Sequence, residues 1–223
     1  IEFMWKLSGR RDYEGFDPSK STLAARARNF AQVSNLPVVL IEGDRGQEGK
    51  DAKKGGFDWD ELKTAYNGRS VRARGLRNSG NETYEPPFRG AIVIAQNAEV
   101  NASEAVLQRI IHLYTDRSSQ NAKTKAAAEE LERMPTESVS GFILQAALAE
   151  KEVMAQFDIK FAMYEQQLTN HPDLRNVRII KNHAQLMALV DCLSVVADIN
   201  AEQQEETRGE LIKMAIERQL AVN

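Results

Sequence analysis

The sequence is poor in the residues that build disulfide frameworks and metal cages. It has one cysteine, Cys192, and three histidines, His112, His171 and His183. A single cysteine excludes an internal disulfide, and its place in an apolar helical pattern fits a core role in a reducing compartment. The histidines share no ligand spacing with one another or with the cysteine, so the sequence predicts no metal cage. No Ser-His-Asp arrangement for nucleophilic catalysis can be recognised either.

Long apolar runs and a large net charge are also missing. No run approaches the roughly 20 residues that span a bilayer, and no signal-peptide pattern opens the chain, so we expect a cytoplasmic protein without a membrane partner. The net charge is -3 over 223 residues, which gives no global attraction to nucleic acid. A nucleic-acid contact would therefore depend on a local basic patch. The length allows one large domain or two small ones.

A short apolar run over residues 36–41 ends abruptly in acid. Pro37 lies near its start and Gly43 follows its end. Such a run predicts a strand buried on both faces, as in parallel sheets. Ligands of open parallel sheets bind at the carboxyl ends of the strands, so Glu42 and Asp44 are candidate catalytic residues. The alternative is that both acids only open a solvated loop.

Polar residues follow the next segments in the same way. Residues 88–97 predict a second buried strand that ends at Asn97, and residues 103–109 predict a short helix that ends at Arg109. Residues 110–115 predict a third apolar strand. The amide at the end of the second strand would lie at the same carboxyl edge as Glu42. The alternative for Arg109 is a surface residue that caps its own helix.

Residues 69–77 alternate arginine with small or apolar residues, which is the period of a half-exposed strand. The turn at 78–81 and residues 82–85 predict the rest of a hairpin. Its arginines are candidate DNA-binding residues that track phosphates without reading bases. They are Arg69, Arg72, Arg74 and Arg77, which cannot all lie on one face because Arg77 is out of phase with Arg72 and Arg74. The alternative is a solvated strand edge that charge protects from aggregation.

The second half of the sequence is helical in pattern. Helices are predicted over 120–133, from 136 towards 169, over 176–199 and over 201–220, with breaks at Pro135 and at residues 170–173. We therefore expect an α/β part over residues 1–118 and an all-helical part over residues 119–223.

These segments follow one another as a strand that ends in an acid, a strand that ends in an amide, a helix that ends in an arginine, and a further strand. This order resembles the ATPase core of P-loop helicases. The resemblance is closest to the primase-helicase proteins of bacterial phages and integrative elements, often described as TOPRIM-domain proteins. It lies in residues 36–44, 66–75, 87–109 and 176–191. It implies a partial RecA/AAA-like P-loop ATPase core with a parallel sheet, followed by an all-helical lid. Residues 38–42 would form the Walker B strand and residues 92–97 the sensor strand.

The resemblance also implies roles for single residues. Glu42 would hold Mg²⁺ with Asp44 as a second acid, and Asn97 would orient the attacking water or sense the terminal phosphate. Arg109 would neutralise transition-state charge in the nucleotide site of a neighbouring subunit. Arg178 or Lys181 would reach the nucleotide from the lid. The implied activity is that of an oligomeric, ATP-dependent DNA helicase, an NTP hydrolase that acts on single-stranded or forked DNA in replication of a mobile element. The alternative is a non-catalytic DNA-binding or oligomerisation module that keeps the ATPase shape.

The most diagnostic motif of that family, G-x-x-x-x-G-K-[ST], is absent from these residues. The first helix has no N-cap before Ile1 and resembles the continuation of the helix that starts at the Walker A motif. We therefore expect a chain truncated just after Walker A. Mg²⁺ and ATP are expected to bind in the longer protein, and neither is expected to bind tightly to residues 1–223.

Overall fold

A computed structural model describes residues 2–11, 15–33, 36–41, 57–75 and 80–222. The chain divides into two compact units. One, which we call the mixed unit, is Glu14–Leu107, and the other, the helical unit, combines Ile1–Tyr13 with Gln108–Asn223. The division expected from the sequence, into residues 1–118 and 119–223, stays a prediction.

Helices account for most of the regular secondary structure in the described residues. In chain order they are α1 (Glu2–Leu7), α2 (Leu23–Val33), α3 (Lys63–Tyr66), α4 (Glu104–Leu107), α5 (Ala122–Arg133), α6 (Thr136–Val139), α7 (Gly141–Leu148), α8 (Glu150–Thr169), α9 (Val177–Val196) and α10 (Ala201–Ala221). The strands are β1 (Val38–Ile41), β2 (Arg74–Gly75), β3 (Thr83–Tyr84) and β4 (Ile92–Ala95), and 3₁₀ turns cover Pro18–Lys20 and Trp59–Leu62.

A small parallel sheet lies in the mixed unit. Strands β1 and β4 pair in parallel, from Val38 with Ile92 to Ile41 with Ala95. Most of β1 is buried, so the prediction of a buried parallel strand is confirmed. Phe16 forms a parallel bridge on the other side of β1, where its N–H donates to the carbonyl of Val39 at 3.1 Å. The coarse class is therefore mixed α/β, with a short parallel sheet beside a helical unit.

Gly15 makes the close approach of this bridge possible. Its φ is +101°, and a Cβ at this position would lie 2.8 Å from the Cβ of Val39. An L-residue would meet both backbone strain and a clash here. The glycine is thus required where the chain runs against the buried strand.

The prediction of a third strand over residues 110–115 is wrong. These residues have no regular secondary structure, and the side chains of Leu113 and Tyr114 are 72% and 74% exposed. The segment has the local preference for a strand, but a strand also needs a neighbour for its backbone groups. Just before this segment the chain is bonded to α9 instead, because Asn182 Nδ2 donates to the carbonyl of Gln108 at 3.3 Å.

The predicted hairpin is present but shorter than expected. Strands β2 and β3 pair antiparallel over two residues each, Arg74 with Tyr84 and Gly75 with Thr83. Residues 69–73 precede β2 without forming a strand. The alternation of arginine with small residues therefore predicted the hairpin correctly and its length wrongly.

The helical unit has a continuous apolar core between α8, α9 and α10. Its fully buried members include Leu168, Ile179 and Met187. Asparagine side chains cap two of these helices: Asn176 accepts from the N–H of Arg178 at 3.0 Å, and Asn200 forms a capping box with Gln203. The segment from 136 to 169, predicted as one helix, is divided into α6, α7 and α8.

Helix α9 is, among the described helices, the one whose length and hydropathy would allow a membrane crossing. Half of its apolar window is buried inside the protein, a property that core helices share.

Candidate nucleic-acid interface and predicted nucleotide site

The two parallel strands end side by side, because Ile41 pairs with Ala95. Residues 42–56 lie outside the described residues. The predictions for Glu42 and Asp44, including the Mg²⁺ site at Glu42, therefore stay predictions. Asn97 lies two residues beyond β4 and is exposed. Of the residues predicted at this carboxyl edge, the structure places Asn97.

Arg109 belongs to the helical unit, where it lies two residues beyond α4 and is half-buried. Arg178 Nη1 of α9 donates to Gln108 Oε1 at 2.9 Å. Helix α9 thus holds the residue next to Arg109 through one of the two lid cations predicted from the sequence. The other, Lys181, forms an ion pair with Glu165 of α8 at 3.6 Å. The structure brings Arg109 and Arg178 into one neighbourhood and directs Lys181 to α8.

A groove of about 390 Å³ lies between α2 and the hairpin of the mixed unit. We call it the arginine groove, after Arg28 and Arg72 in its wall. Its lining residues are Ala24, Ala27, Arg28, Ala31, Ser70, Arg72, Ala73, Gly75, Tyr84 and Pro86. Most of the lining residues are therefore small, and the exceptions are two arginines and one tyrosine.

Helical spacing explains why α2 contributes to this groove. Its lining positions 24, 27, 28 and 31 follow the i, i+3, i+4, i+7 pattern of one helix face. Arg26 lies outside that face and is held by Glu61, with Nη2 2.8 and 3.0 Å from the two carboxylate oxygens. Its guanidinium also lies over the ring of Phe57, 5.1 Å from the centroid. Arg28, two residues away, is exposed and has no ion pair within the described part of the chain.

The hairpin supplies the aromatic side of the groove. Tyr84 of β3 is 54% exposed, and its cross-strand partner is Arg74. Glu82 and Glu85 flank it, and both are exposed, so the basic character of the groove comes from α2 and from the segment before β2. Arg72 is exposed in that segment.

The outcomes for the predicted DNA-binding arginines differ. Arg72 lines the groove, and Arg69 is exposed without lining it. The backbone of Arg74 is in β2, its side chain is not among the described atoms, and Arg77 lies outside the described residues. Sequence reasoning missed Arg28 and Tyr84. Alanines at 24, 27 and 31 beside Arg28 were a local signal of a shallow face, but no local signal linked this face to the hairpin.

The helical unit carries a different electrostatic feature, a buried cluster around Asp191 of α9. The Asp191 carboxylate is hydrogen-bonded by the Tyr164 hydroxyl at 2.7 Å and by Arg208, and Lys160 Nζ lies 2.9 Å away. Burial by itself raises the pKa of Asp191, but the bonds from Lys160 and Tyr164 and the charge of Arg208 lower it overall. Burial and the bond to Asp191 raise the pKa of Tyr164 to about 12. The cluster links the three helices, because side chains of α8 and α10 contact the Asp191 carboxylate of α9.

No group of three or more His, Cys, Asp and Glu side chains within the described ranges is close enough to hold a metal ion. No protein-family model, curated protein or solved structure matches the chain. The arginine groove and the paired strand ends are therefore the features from which a function can be argued.

Proposed function

We propose that the mixed unit binds single-stranded DNA through the arginine groove, as the DNA-contacting part of an ATP-dependent helicase that acts in replication of a phage or other mobile element. The observation that carries the proposal is the arrangement of Arg28, Arg72 and Tyr84 around one groove. The three side chains come from two separate segments, α2 and the hairpin region. Such convergence is what a binding surface requires.

The chemistry of the groove favours a single strand over a duplex. Proteins that bind single strands combine cations that follow the phosphates with aromatic rings on which bases stack. Arg28 and Arg72 supply the cations, and the half-exposed ring of Tyr84 supplies a stacking surface. A base is available for stacking only when it is unpaired, so duplex DNA would use the arginines and leave the ring without its partner.

A DNA-binding titration of the full chain tests this proposal, with a labelled oligothymidylate as the probe and fluorescence anisotropy as the readout. Tyr84→Ala should raise Kd about tenfold through lost stacking. The double variant Arg28→Ala, Arg72→Ala should weaken binding and lower the salt slope by about 0.7 for each lost phosphate contact. Arg69 can be added to the set to test the wider basic stripe.

Arg89→Ala is the matched control, because Arg89 is an exposed arginine of the same unit that does not line the groove. It should leave affinity and salt slope close to those of the unmodified chain. Unchanged binding by the double variant and by Tyr84→Ala would contradict the proposal. A double variant that loses duplex and single-strand binding equally, with no effect of Tyr84→Ala, would also contradict the single-strand assignment.

A second candidate function is nucleotide hydrolysis at the paired strand ends, and the parallel register of β1 and β4 favours it. In this proposal Glu42 and Asp44 hold Mg²⁺, Asn97 contacts the terminal phosphate, and Arg109 acts on the nucleotide of a neighbouring subunit in a homo-oligomer. Arg178 and Lys181 are the candidate cations of the lid. Phosphoryl transfer depends on such positioning and charge neutralisation.

The test of this second candidate uses a chain that also carries the P-loop. Glu42→Ala, Asn97→Ala and Arg109→Ala should each abolish its DNA-stimulated ATPase activity while the circular dichroism spectrum stays unchanged. Turnover at the unmodified rate in Arg109→Ala would contradict the role of that arginine. For residues 1–223 alone we expect no micromolar ATP binding by calorimetry, and such binding would contradict the need for a phosphate cradle.

A further inference from the structure

Ser70 lines the arginine groove, yet the proposed contacts with DNA do not involve it. It lies two residues before Arg72, in the segment 69–73 that precedes β2. Within the described part of the chain, strand pairing on this side of the hairpin begins at Arg74. No ladder of backbone hydrogen bonds therefore determines where the side chains of the segment point, and another contact has to hold Arg72 in the groove wall.

The Ser70 hydroxyl makes two hydrogen bonds to the backbone of one residue. It donates to the carbonyl of Arg72 at 2.7 Å and accepts from the N–H of Arg72 at 3.2 Å. The second bond is that of a serine turn, in which a hydroxyl bonds the backbone two residues further on. Because one oxygen holds both polar groups of residue 72, the backbone of Arg72 is fixed relative to Ser70.

The start of the segment holds Ser70 itself in place. Helix α3 is followed by Gly68, whose φ is +71°, and the N–H of Arg69 donates to the carbonyl of Thr64 at 3.1 Å. Ser70 comes next and is half-buried, whereas Arg72 is exposed. The serine turn thus joins an anchored residue to an exposed arginine.

The hydrogen bonds that Ser70 already makes argue against a direct contact with phosphate. A serine hydroxyl has one proton, and that proton is donated to the Arg72 carbonyl. Phosphate oxygens are acceptors, so Ser70 cannot donate to DNA while this bond is present. Its effect on binding should therefore pass through Arg72.

Arg28, the other arginine of the groove, has a different support. It lies inside α2, where helical hydrogen bonds fix the backbone. Arg72 lies in neither a helix nor a strand, and the serine turn takes the place of regular secondary structure. Holding a segment in its binding conformation before the ligand arrives lowers the entropy cost of binding. The contacts of the two arginines should therefore respond differently to loss of the hydroxyl.

We propose that Ser70 is a positioning residue of the arginine groove, which holds the backbone of Arg72 so that its guanidinium meets a phosphate of single-stranded DNA. This inference rests on the proposed function of the groove. It adds that the affinity depends on a hydroxyl that does not touch the DNA. Removal of the hydroxyl should weaken the contact made by Arg72 although the arginine itself is retained.

Oligothymidylate titrations of the full chain by fluorescence anisotropy test the inference. Ser70→Ala should raise Kd about fivefold, the equilibrium effect of one net hydrogen bond. It should also lower the salt slope by up to about 0.7, the value for one phosphate contact. Ser70→Thr keeps the hydroxyl and should bind like the unmodified chain. All variants should keep the circular dichroism spectrum.

Double variants separate positioning from a general loosening of the groove. In an Arg72→Ala background, Ser70→Ala should change neither Kd nor salt slope, because the arginine that it positions is gone. In an Arg28→Ala background, Ser70→Ala should still raise Kd about fivefold. Ser103→Ala is the matched control, since its hydroxyl also makes a hydrogen bond of 2.7 Å, to Asp60 Oδ1, in the same unit and outside the groove. It should leave Kd unchanged.

Three results would overturn the inference and leave the function of the groove standing. The first is weaker binding by Arg72→Ala with unchanged binding by Ser70→Ala. The second is an equal effect of Ser70→Ala with and without Arg72, and the third is a Ser70→Thr chain that binds as weakly as Ser70→Ala. Unchanged binding by Arg28→Ala, Arg72→Ala and Tyr84→Ala would instead contradict the proposed function, and the inference would fail with it.

Discussion

In the helical unit a carboxylate is buried among its cations, whereas in the mixed unit arginines line an open groove. Asp191 is 3% exposed and is bonded by residues from α8 and α10. Arg28 and Arg72 are exposed beside Tyr84. The same kinds of side chain therefore stabilise the packing in one unit and remain available to a ligand in the other. Burial and partners distinguish these uses, and residue type does not.

The apolar core should be the strongest support of the helical unit. Leu168 of α8 is fully buried in the core that this helix shares with α9 and α10, so Leu168→Ala should lower the free energy of unfolding by about 3–5 kcal/mol through lost burial and a cavity. Urea unfolding in a Trp59→Phe background measures it, because the remaining tryptophan, Trp5, is buried in the helical unit.

The comparison predicts that this loss stays within one unit. Leu168→Ala should leave oligothymidylate binding unchanged, since the groove belongs to the mixed unit. Leu220→Ala is the control, because that leucine is 71% exposed. A loss of stability in the control equal to that in Leu168→Ala would show that the core does not dominate.

The second prediction removes the buried carboxylate. Asp191→Ala leaves Arg208, Lys160 and Tyr164 without their common acceptor and should cost about 3 kcal/mol, the low end for a buried pair because Lys160 retains contact with water. Trp5 fluorescence in urea again provides the measurement. Asp173→Ala removes an exposed carboxylate from the same unit and should change stability by less than about 0.5 kcal/mol. Equal effects of the two variants would refute the structural role of the Asp191 cluster.

The third prediction separates two arginines on one helix. Arg26→Ala removes a bidentate pair with Glu61 and a ring contact with Phe57, and it should destabilise the mixed unit by about 1–2 kcal/mol. Arg28→Ala should leave stability unchanged and weaken DNA binding. Unfolding followed by Trp59 in a Trp5→Phe background, together with anisotropy titrations, gives both readouts. The reverse assignment, with Arg28 stabilising and Arg26 binding, would contradict the interpretation of the groove.

The fourth and smallest prediction concerns pH. His183 is buried in α9, its Nδ1 lies 2.8 Å from the carbonyl of Ile179, and its Nε2 has no hydrogen-bond partner within the described residues. Burial lowers the pKa of His183 below 6.5, and the charge of Arg218 adds to this effect. Between that lowered pKa and 6.5 the unfolded chain binds more protons than the folded one, so stability is retained above pH 6.5 and falls as the pH drops below it.

The pH effect has a limit set by one proton, a slope of at most about 1.4 kcal/mol per pH unit. His183→Gln should flatten the stability curve of the helical unit in this range, although its own stability at pH 7 is lower. His171→Gln is the matched control, because His171 is in a half-exposed turn, and it should keep the slope. A slope that survives in His183→Gln would assign the effect to another group.

Helices α9 and α10 and the first strand were predictable because their signals are local. The apolar periodicity of residues 176–199 and the asparagines at 176 and 200 act within a turn or two of the backbone, and the structure places α9 and α10 there. The acid-bounded apolar run predicted β1 for the same reason. The segment 110–115 has equally strong local preferences and forms no strand, since a strand also requires a neighbour that the sequence pattern does not reveal.

The candidate site was only partly predictable. The alternation of arginines indicated the hairpin and Arg72, but Arg28 lies 44 positions earlier in a helix whose face meets the hairpin only in the folded unit. Arg109 and Arg178 were predicted as separate cations, and their shared neighbour Gln108 emerged from the structure. Such pairs are joined by tertiary contacts between residues that are distant in sequence.

By itself the sequence determined the approximate bounds of α9 and α10, which strand is buried, and that a hairpin follows, because hydrophobic period, caps and turn residues act over a few positions. Only the tertiary structure decided which charges are buried and which are free. Arg26 and Arg28 have the same side chain and almost the same local sequence, yet Glu61 reaches one and a groove opens at the other. Burial depends on what packs against a residue, and that is settled when distant segments meet.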